Sequence, residues 1–570
     1  MSRREAWITA LALFAIALAI RVVAASQIGF PKPEDTAYYV GVARNLVEGW
    51  QGVPGRGLVS DAMWSFGTPP LVFPRPAFEV WLPLPSLLAA IPLALSRATA
   101  PIPLETAMRS AQVVSTVAGA LVVVLTWRLG ADVAQERSLP VGRARTLAVG
   151  AGLTAAVYLP LLLHSALPDS TMLFGALVLG AIVLMTRVLR EPRGGRFLDP
   201  RLLAIGLLIG LAALTRNEAV WLALTWTWLA FRRAGVDGRT RLRLVGVVAI
   251  VSLIVFAPWA ARDWAVFGNP LPGQAATNAL SVSGFDIFAW NHPPTLARYL
   301  GVGAGGLLEM RSTGLAHNLF NVLLFLGIPV SLLGLVALPW QGRDRALRPV
   351  VLVAVLTFFA TSLLFPVATT WGTFLHASAP AAVLLIVSAV GVLDAGLAAL
   401  GRRMGWERPI AWLGPLLTVF ASALFSVALL PAFGAGAQAT QRTYEVLARE
   451  MAAIGAPLDG SSPVIHDFPI WMAETERVPT LALPDESPAD VLDLATHFGA
   501  KWLIVGPDRG SWPAVLDGPD PDAACFEEVL LPIPEDPTDA DAIRDLRVFR
   551  IACSGVASAT TPESAVRPSP

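Results

Sequence analysis

The chain has 570 residues, of which 55% are hydrophobic and only 15% are charged. Soluble globular proteins carry about 25% charged residues, so this composition excludes a soluble enzyme and indicates that most of the chain lies in a membrane. The formal net charge is zero, so the overall charge gives no sign of an acidic partner such as a nucleic acid.

Apolar segments long enough to span a bilayer recur along the first three quarters of the chain. We predict about eleven membrane helices, at residues 7–28, 104–127, 147–164, 170–189, 202–215, 218–231, 243–260, 316–338, 349–366, 377–398 and 409–431. Two of these, 202–215 and 218–231, are shorter than the roughly 20 residues that a straight span needs. The first segment exceeds the signal-peptide core of about 7–15 residues, so we expect it to be retained.

The arginines set the predicted orientation. With the N-terminus inside, the predicted cytoplasmic loops hold 22 basic residues, whereas the longer outside loops hold 9. Basic residues favour the cytoplasmic side, so we expect an inner-membrane protein with large outside loops at 29–103 and 261–315. Segment 80–96 contains three prolines, which disfavour a helix interior, and is expected to lie along the outer surface or to be re-entrant.

The tail differs from the preceding membrane domain, residues 1–435. Three short apolar runs around a helical segment, 489–498, predict a small α/β domain at 436–555 on the outside. Residues 556–570, rich in Ser, Thr and Pro, are predicted to be disordered. Outside the cytoplasm Cys525 and Cys553 could form a disulfide, and two unpaired buried thiols are the alternative.

Two acids lie directly outside the membrane, each next to a predicted span. Asp35 follows the first span and precedes a predicted short helix at 36–48, and Asp169 lies between the third and fourth spans. A carboxylate in such a place can take a proton from an attacking hydroxyl as a general base. The alternative for both is that they only cap helices.

Arginines lie at the same outer face. Arg216 and Arg262 are the main candidates for binding an anion, because the planar guanidinium suits a phosphate. Ion pairs with Glu218 and Asp263 are the structural alternative. Arg75 and His376 also lie outside and could contact a polar ligand.

The order of these short motifs resembles the polytopic glycosyltransferases that use polyprenyl-phosphate sugars, the GT-C superfold. The sequence is most similar to bacterial relatives of the dolichyl-phosphate-mannose protein mannosyltransferases and of the aminoarabinose transferases. The motifs are Glu34-Asp35-Thr-Ala-Tyr38-Tyr39, Trp81-Leu-Pro-Leu, Pro168-Asp169, Thr215-Arg216-Asn-Glu218, Pro258-Trp259 with Arg262, and Phe498-Gly-Ala-Lys-Trp.

This resemblance implies transfer of a sugar from a polyprenyl-phosphate carrier to a lipid, glycan or protein acceptor, with inversion. The acid after the first span would be the base, Asp169 a second acid, and arginines would hold the carrier phosphate. The predicted site residues are Asp35, Glu34 and Asp169 for catalysis, Arg216, Arg262 and Arg75 for the phosphate, and Tyr39, Trp81, Glu218 and His376 for substrate contacts.

The sequence leaves open which acid is the base, because Glu34 precedes Tyr38 by four residues and Asp35 precedes Tyr39 by four. We favour Asp35 and keep Glu34 as the alternative. No cofactor is expected; Mg²⁺ or Mn²⁺ on Glu34, Asp35 and Asp169 is the less favoured alternative. A transporter of a lipid-linked glycan and a non-enzymatic envelope protein are the competing functions, although a transporter would place polar groups nearer the midplane.

Overall fold

The computed structural model describes residues 2–190, 199–233, 235–406, 410–507 and 509–553. The predicted disordered tail, 556–570, lies outside the described residues. The chain divides into two compact units. Unit 1 comprises residues 1–60, 68–287 and 294–441, and unit 2 comprises residues 61–67, 288–293 and 442–570.

Unit 1 is built almost entirely from helices, numbered here in chain order. They are α1 Arg3–Ser26, α2 Glu34–Trp50, α3 Leu84–Leu95, α4 Leu104–Glu136, α5 Val141–Val157, α6 Leu159–Ala166, α7 Thr171–Arg190, α8 Pro200–Ala213, α9 Ala219–Phe231, α10 Gly238–Phe267, α11 Ala275–Leu280, α12 Leu296–Gly301, α13 Gly303–Ala316, α14 Val330–Gln341, α15 Arg348–Leu364, α16 Thr373–Ala377, α17 Ala379–Arg403 and α18 Leu413–Ala453. A π-helix, His317–Leu324, and short 3-10 turns connect some of them.

The described residues confirm a multi-pass membrane protein. Six helices, α1, α4, α7, α10, α17 and α18, are long and apolar enough to cross a bilayer. Two bent helix pairs raise this number to eight if each pair forms one span. The shorter apolar helices α8, α9 and α15 coincide with segments predicted as spans, and the total of about eleven spans stays a prediction.

Small residues allow the long helices to pack closely. Gly334 of α14 faces the backbone of α17, where a Cβ atom would lie 2.2 Å from the carbonyl oxygen of Leu385. In a membrane, helix association depends on this close approach, because lipid gives little hydrophobic driving force. Helix α10 extends beyond the predicted span 243–260 to Phe267, and Gly268 ends it in the left-handed conformation at φ 70°.

The loop after α1 contains a longer helix than the sequence predicted. Helix α2 begins at Glu34, with Pro33 as its N-cap, and ends at Trp50. Asp35 is therefore inside the first turn, and its predicted N-cap role is wrong. Gly49, expected just past the end, is helical and lies against the backbone of Arg56. The two strands β1, Val59–Ser60, and β3, Arg75–Pro76, pair antiparallel beyond this helix.

Unit 2 is a small α/β unit, as the sequence predicts. Its strands are β2 Ala62–Met63, β4 Val464–His466, β5 Thr480–Ala482, β6 Trp502–Val505, β7 Phe526–Glu528 and β8 Arg547–Ile551, and its shorter helices are α19 Pro469–Glu476, α20 Pro488–Phe498 and α21 Pro537–Ile543. The sheet order is β2-β5-β4-β6-β8-β7. The first four strands are parallel to their neighbours, and β8 runs antiparallel to both β6 and β7.

The sequence did not predict which distant segments of the chain join in unit 2. Strand β2 comes from the first loop, where Ala62 pairs with Thr480. A disulfide joins Cys525 to Cys553, which decides between the two alternatives left open by the sequence. It ties the segment before β7 to the residues after β8, so the antiparallel edge of the sheet is covalently closed.

A half-buried carboxyl in unit 2 makes its stability depend on pH. Burial, together with the charge of Glu445, raises the pKa of Glu476 from 4.5 to about 7. The folded state holds this proton more tightly than the unfolded state does, so the free energy of unfolding falls as the pH rises from 4.5 to about 7.

We therefore expect Glu476→Gln to raise the unfolding temperature of the full chain at pH 8, by an amount equivalent to about 1–2 kcal/mol after solvent screening. The gain should vanish near pH 4.5. The measurement is thermal unfolding in detergent at several pH values, with the exposed Glu535→Gln as the control. An equal gain from both variants, or a gain that does not change with pH, would contradict the assignment.

Candidate functional site

Three distant parts of unit 1 bring charged side chains together beside the membrane helices. Helix α2 carries Asp35, the loop between α6 and α7 carries Asp169, and the short helix α16 carries His376. The Nε2 atom of His376 lies 2.8 Å from Oδ2 of Asp35, and its Nδ1 atom lies 3.2 Å from Oδ2 of Asp169. The imidazole therefore bridges the two acids that the sequence analysis selected.

A second histidine fixes Asp169 from the other side. The Nδ1 atom of His164, at the end of α6, lies 2.7 Å from Oδ2 of Asp169. The other oxygen, Oδ1, accepts the backbone N–H of Thr171 at 2.7 Å, at the start of α7. The Thr171 hydroxyl also lies 2.9 Å from Nδ1 of His376. Asp169 thus both accepts the N–H of the first residue of α7 and belongs to the charged cluster.

The electrostatics of the cluster follow from its burial. Burial opposes ionisation of Asp35, but the charge and hydrogen bond of His376 more than offset it and hold the pKa of Asp35 below its usual value. The two histidines likewise hold the pKa of Asp169 below its usual value against the effect of burial. Burial alone would lower the pKa of His376, yet Asp35 and Asp169 raise it to about 10. At neutral pH the cluster is two carboxylates joined by an imidazolium.

Arg216 lies next to the cluster of Asp35, Asp169 and His376. Its Nε and Nη2 atoms bind the two carboxylate oxygens of Glu218 at 3.0 and 3.1 Å. Its remaining donor, Nη1, binds the Ser170 hydroxyl at 2.9 Å, and Nη2 also reaches the carbonyl of Thr373 at 3.3 Å. The ion pair with Glu218, the structural alternative for Arg216, is therefore present, and it fixes the loops next to both Asp169 and His376.

Aromatic side chains line the neighbouring part of the unit. Trp81 stacks on Tyr38 with ring centroids 4.3 Å apart, and Phe78 packs edge-on against Trp259 at 5.5 Å. The guanidinium of Arg262 lies 4.9 Å from the centroid of the Trp259 ring. Trp81 comes from one motif and the pair Trp259 and Arg262 from another, and this aromatic group connects them.

Arg262 uses fewer of its guanidinium nitrogens in hydrogen bonds than Arg216 does. Its Nη1 atom binds Asp263 at 2.9 Å, and its side chain is 20% exposed. Among the described residues its other two nitrogens have no hydrogen-bond partner. A guanidinium that stacks on an aromatic ring and uses only one nitrogen in a hydrogen bond can bind an additional anion through its remaining donors.

The remaining selected residues have local partners. Arg75 is buried and donates to Glu79 and to the carbonyls of Thr68 and Pro70, so it ties a loop together. Tyr39 is buried beside the cluster, and burial raises its pKa. Glu34 opens α2 next to Asp35 and does not belong to the hydrogen-bonded set of His376.

The cluster also contains a donor set for a metal ion, with different ligands from those expected. The ligand atoms of His164, Asp169 and His376 all lie within 4.8 Å of one another. Two imidazoles and one carboxylate fit Zn²⁺ or Mn²⁺ better than Mg²⁺, which prefers oxygen ligands. These residues could hold such an ion if His376 were neutral, since a metal would take the place of the imidazolium proton.

Sequence reasoning missed the second histidine. His164 stands five residues before Asp169, at the end of an apolar helix, where a polar ring is unusual. This placement was the available signal, because an ionisable side chain at the end of a span usually has a partner. Ser170 and Thr171, the hydroxyls of the same loop, were missed because such residues commonly begin helices.

Comparison with known proteins gives matches in structure and none in sequence. No protein-family model and no curated protein matches the chain. ArnT from Cupriavidus metallidurans bound to undecaprenyl phosphate has 14% sequence identity, covers 98% of this chain and 99% of its own, and has a TM-score of 0.53. The oligosaccharyltransferase AglB from Archaeoglobus fulgidus, in complex with an inhibitory peptide and a dolichol-phosphate, has 12% identity, coverage of 93% and 73%, and a TM-score of 0.52.

A second structure of the Archaeoglobus fulgidus oligosaccharyltransferase, tethered with an acceptor peptide, has 15% identity, coverage of 92% of this chain and 72% of its own, and a TM-score of 0.55. The predicted fold, a polytopic helical domain followed by a small α/β domain, is thereby confirmed. At these identities the likeness establishes the fold alone.

The buried charge bridge makes a stability prediction. Replacing His376 with Gln leaves two buried carboxylates without the intervening cation, so we expect a loss of about 3–5 kcal/mol, measured as a lower unfolding temperature. His292→Gln is the control, because His292 is exposed and its carboxylate partner is 3.5 Å away. The double variant Asp35→Asn/His376→Gln should recover part of the loss. Equal effects from the His376 and His292 variants would disprove the charge bridge.

Proposed function

We propose that the protein is a membrane glycosyltransferase that moves a sugar from a polyprenyl-phosphate carrier to a hydroxyl acceptor outside the cytoplasm. The observation that carries the proposal is the Asp35–His376–Asp169 bridge, which presents an ionised carboxylate at the ends of several membrane helices. Proteins with the same fold have been solved with dolichol-phosphate and with undecaprenyl phosphate, which supports a donor of this chemical class.

Asp35 is the general base of the proposed reaction. His376 engages Oδ2, whereas Oδ1 has no hydrogen-bond partner among the described residues, and the side chain is 17% exposed. An acceptor hydroxyl can therefore donate to Oδ1. As its oxygen forms a bond to the anomeric carbon, Asp35 takes the proton, and the bond from that carbon to the phosphate oxygen breaks with its electron pair.

The other residues prepare Asp35 for this role. The imidazolium of His376 keeps the carboxylate ionised in a buried place and fixes its rotamer. Asp169 and His164 in turn fix His376, and Asp169 supplies the second negative charge that keeps His376 protonated. Holding a base in one orientation lowers the barrier because no ordering remains at the moment of reaction.

Arg262 is the arginine best placed for the carrier phosphate. It keeps two nitrogens available, whereas Arg216 uses all three of its nitrogens on Glu218, Ser170 and Thr373. A guanidinium beside the phosphate stabilises the negative charge that develops when the carrier leaves. We therefore assign phosphate binding to Arg262 and loop positioning to Arg216, while Trp81 and Tyr38 form an aromatic wall suited to a sugar ring.

The proposed orientation places the N-terminus inside the cell, with the site and unit 2 outside the cytoplasmic membrane. The distribution of arginines supports it. The Cys525–Cys553 disulfide supports it independently, because disulfides form and persist in oxidising compartments.

The base is tested by Asp35→Asn with Glu34→Gln as the matched control. The purified chain in lipid receives a panel of labelled polyprenyl-phosphate hexoses and pentoses together with an acceptor extract, and release of label from the carrier is measured. Loss of a general base predicts a fall in kcat of about 100-fold or more in Asp35→Asn, and little change in Glu34→Gln.

The opposite pattern would move the base to Glu34. If wild type releases no label from any intact donor, the glycosyltransferase proposal fails, and uptake of the same donors into vesicles would then test a transporter.

The orientation is tested with the two native cysteines, which are the only ones in the chain. In intact spheroplasts a membrane-impermeant maleimide should label neither until a reductant is added, and both afterwards. Labelling that appears only after the membrane is permeabilised would place unit 2 in the cytoplasm. Cys525→Ser should be labelled at Cys553 without a reductant, which controls for accessibility.

A further inference from the structure

A break in a membrane helix lies directly before the site. Helices α5 and α6 are separated only by Tyr158, which is extended, and the two helices meet at an angle of 50°. Pro160, in the first turn of α6, has no N–H to donate back to α5. The last carbonyls of α5 therefore lose their helical partners, which costs several kcal/mol each inside a membrane unless other donors replace them.

Arg21 supplies these donors from the C-terminal part of α1. Its Nη1 atom donates to the carbonyl of Ala156 at 3.2 Å, and its Nη2 atom donates to that of Ala155 at 3.2 Å. The side chain is completely buried. Among the described residues no carboxylate pairs with it, so its charge is balanced by the negative end of α5.

The same guanidinium holds the other side of the break. Its Nε atom donates to the hydroxyl of Ser165 at 3.0 Å, and that hydroxyl donates to the carbonyl of Leu161 at 2.5 Å. Ser165 is the residue directly after His164 in α6. Arg21 therefore fixes α5 and α6 to each other at the turn that precedes both His164 and Asp169.

We propose that Arg21 is a positioning residue for the catalytic cluster. It sets the angle of α6, and thereby delivers His164 and Asp169 to His376. This role rests on the proposed function, since the cluster is where the transfer takes place. A buried cation without a carboxylate partner is costly in a membrane, and its bonds to both sides of the helix break explain why the position is occupied by arginine.

A glycine in α4 allows the contact between Arg21 and Ser165 to be disturbed by a second, independent substitution. A Cβ atom at Gly119 would lie 2.6 Å from Nε of Arg21 and 2.2 Å from the hydroxyl of Ser165. Gly119→Ala therefore pushes the guanidinium and Ser165 apart while leaving both residues in the chain. It separates loss of the contact from loss of the charge.

The matched control is Ser426→Ala. The hydroxyl of Ser426 donates to the carbonyl of Val157 at 2.6 Å, so it binds the same end of α5, and among the described residues it makes no hydrogen bond to α6. The variants Arg21→Met, Arg21→Lys, Gly119→Ala and Ser426→Ala are compared as full chains in lipid. Three quantities are measured: kcat and KM for the donor, the unfolding temperature, and hydrogen exchange of the α6 amides at residues 159–166.

We expect Arg21→Met and Gly119→Ala to lower kcat by about 10- to 100-fold with little change in the donor KM, because the cluster is misplaced while the phosphate contact remains. Hydrogen exchange of α6 should rise in both, Arg21→Lys should recover part of kcat, and Ser426→Ala should retain kcat and α6 protection. A purely structural role would lower the amount of folded protein and leave kcat per folded molecule unchanged.

Unchanged kcat in folded Arg21→Met, or equal effects in Ser426→Ala, would overturn the proposal. Hydrogen exchange distinguishes this failure from failure of the proposed function. If wild type transfers no sugar but α6 exchanges faster in Arg21→Met and Gly119→Ala alone, the anchoring of α6 stands and the transfer reaction fails. If α6 exchange does not change in either variant, the anchoring itself is wrong.

Discussion

The imidazolium of His376 between Asp35 and Asp169 is the interaction on which the site depends. Two carboxylates cannot both remain ionised in a buried place without a cation between them, and here the cation is held by both acids and by Thr171. The bridge explains how a carboxylate stays ionised beside the membrane helices. It also explains why three separate segments of the chain must converge, since each contributes one member.

Next to this bridge, two arginines bind the segments that carry its members. Arg216 ties the loop after α8 to the loops that carry Asp169 and His376, and Arg21 ties the broken helix that ends at His164. Arg21 is buried and Arg216 is partly buried, and each donates hydrogen bonds to several segments at once. Planar guanidinium groups suit this task better than the ammonium group of lysine, because their donors point in fixed directions.

Arg262 is used differently from these two arginines. It stacks on Trp259, binds Asp263 through one nitrogen and leaves the others available at the edge of the aromatic group. The site therefore separates into a polar part, which would handle the proton in the proposed reaction, and an aromatic and cationic part, to which that proposal assigns the sugar and its phosphate. This division fits a reaction in which proton transfer and departure of the carrier occur at opposite sides of one carbon atom.

The sequence alone determined the class of the molecule, since apolar length, arginine asymmetry and short strands depend on local composition. It also selected Asp35, Asp169, Arg262 and His376, because charged residues beside membrane spans are few. Only the tertiary structure decided how they combine. The bridging role of His376, the partner His164 and the joining of β2 to the sheet all depend on contacts between residues far apart in the chain. Local pattern carries no information on such contacts, because burial and pairing arise only when the helices pack.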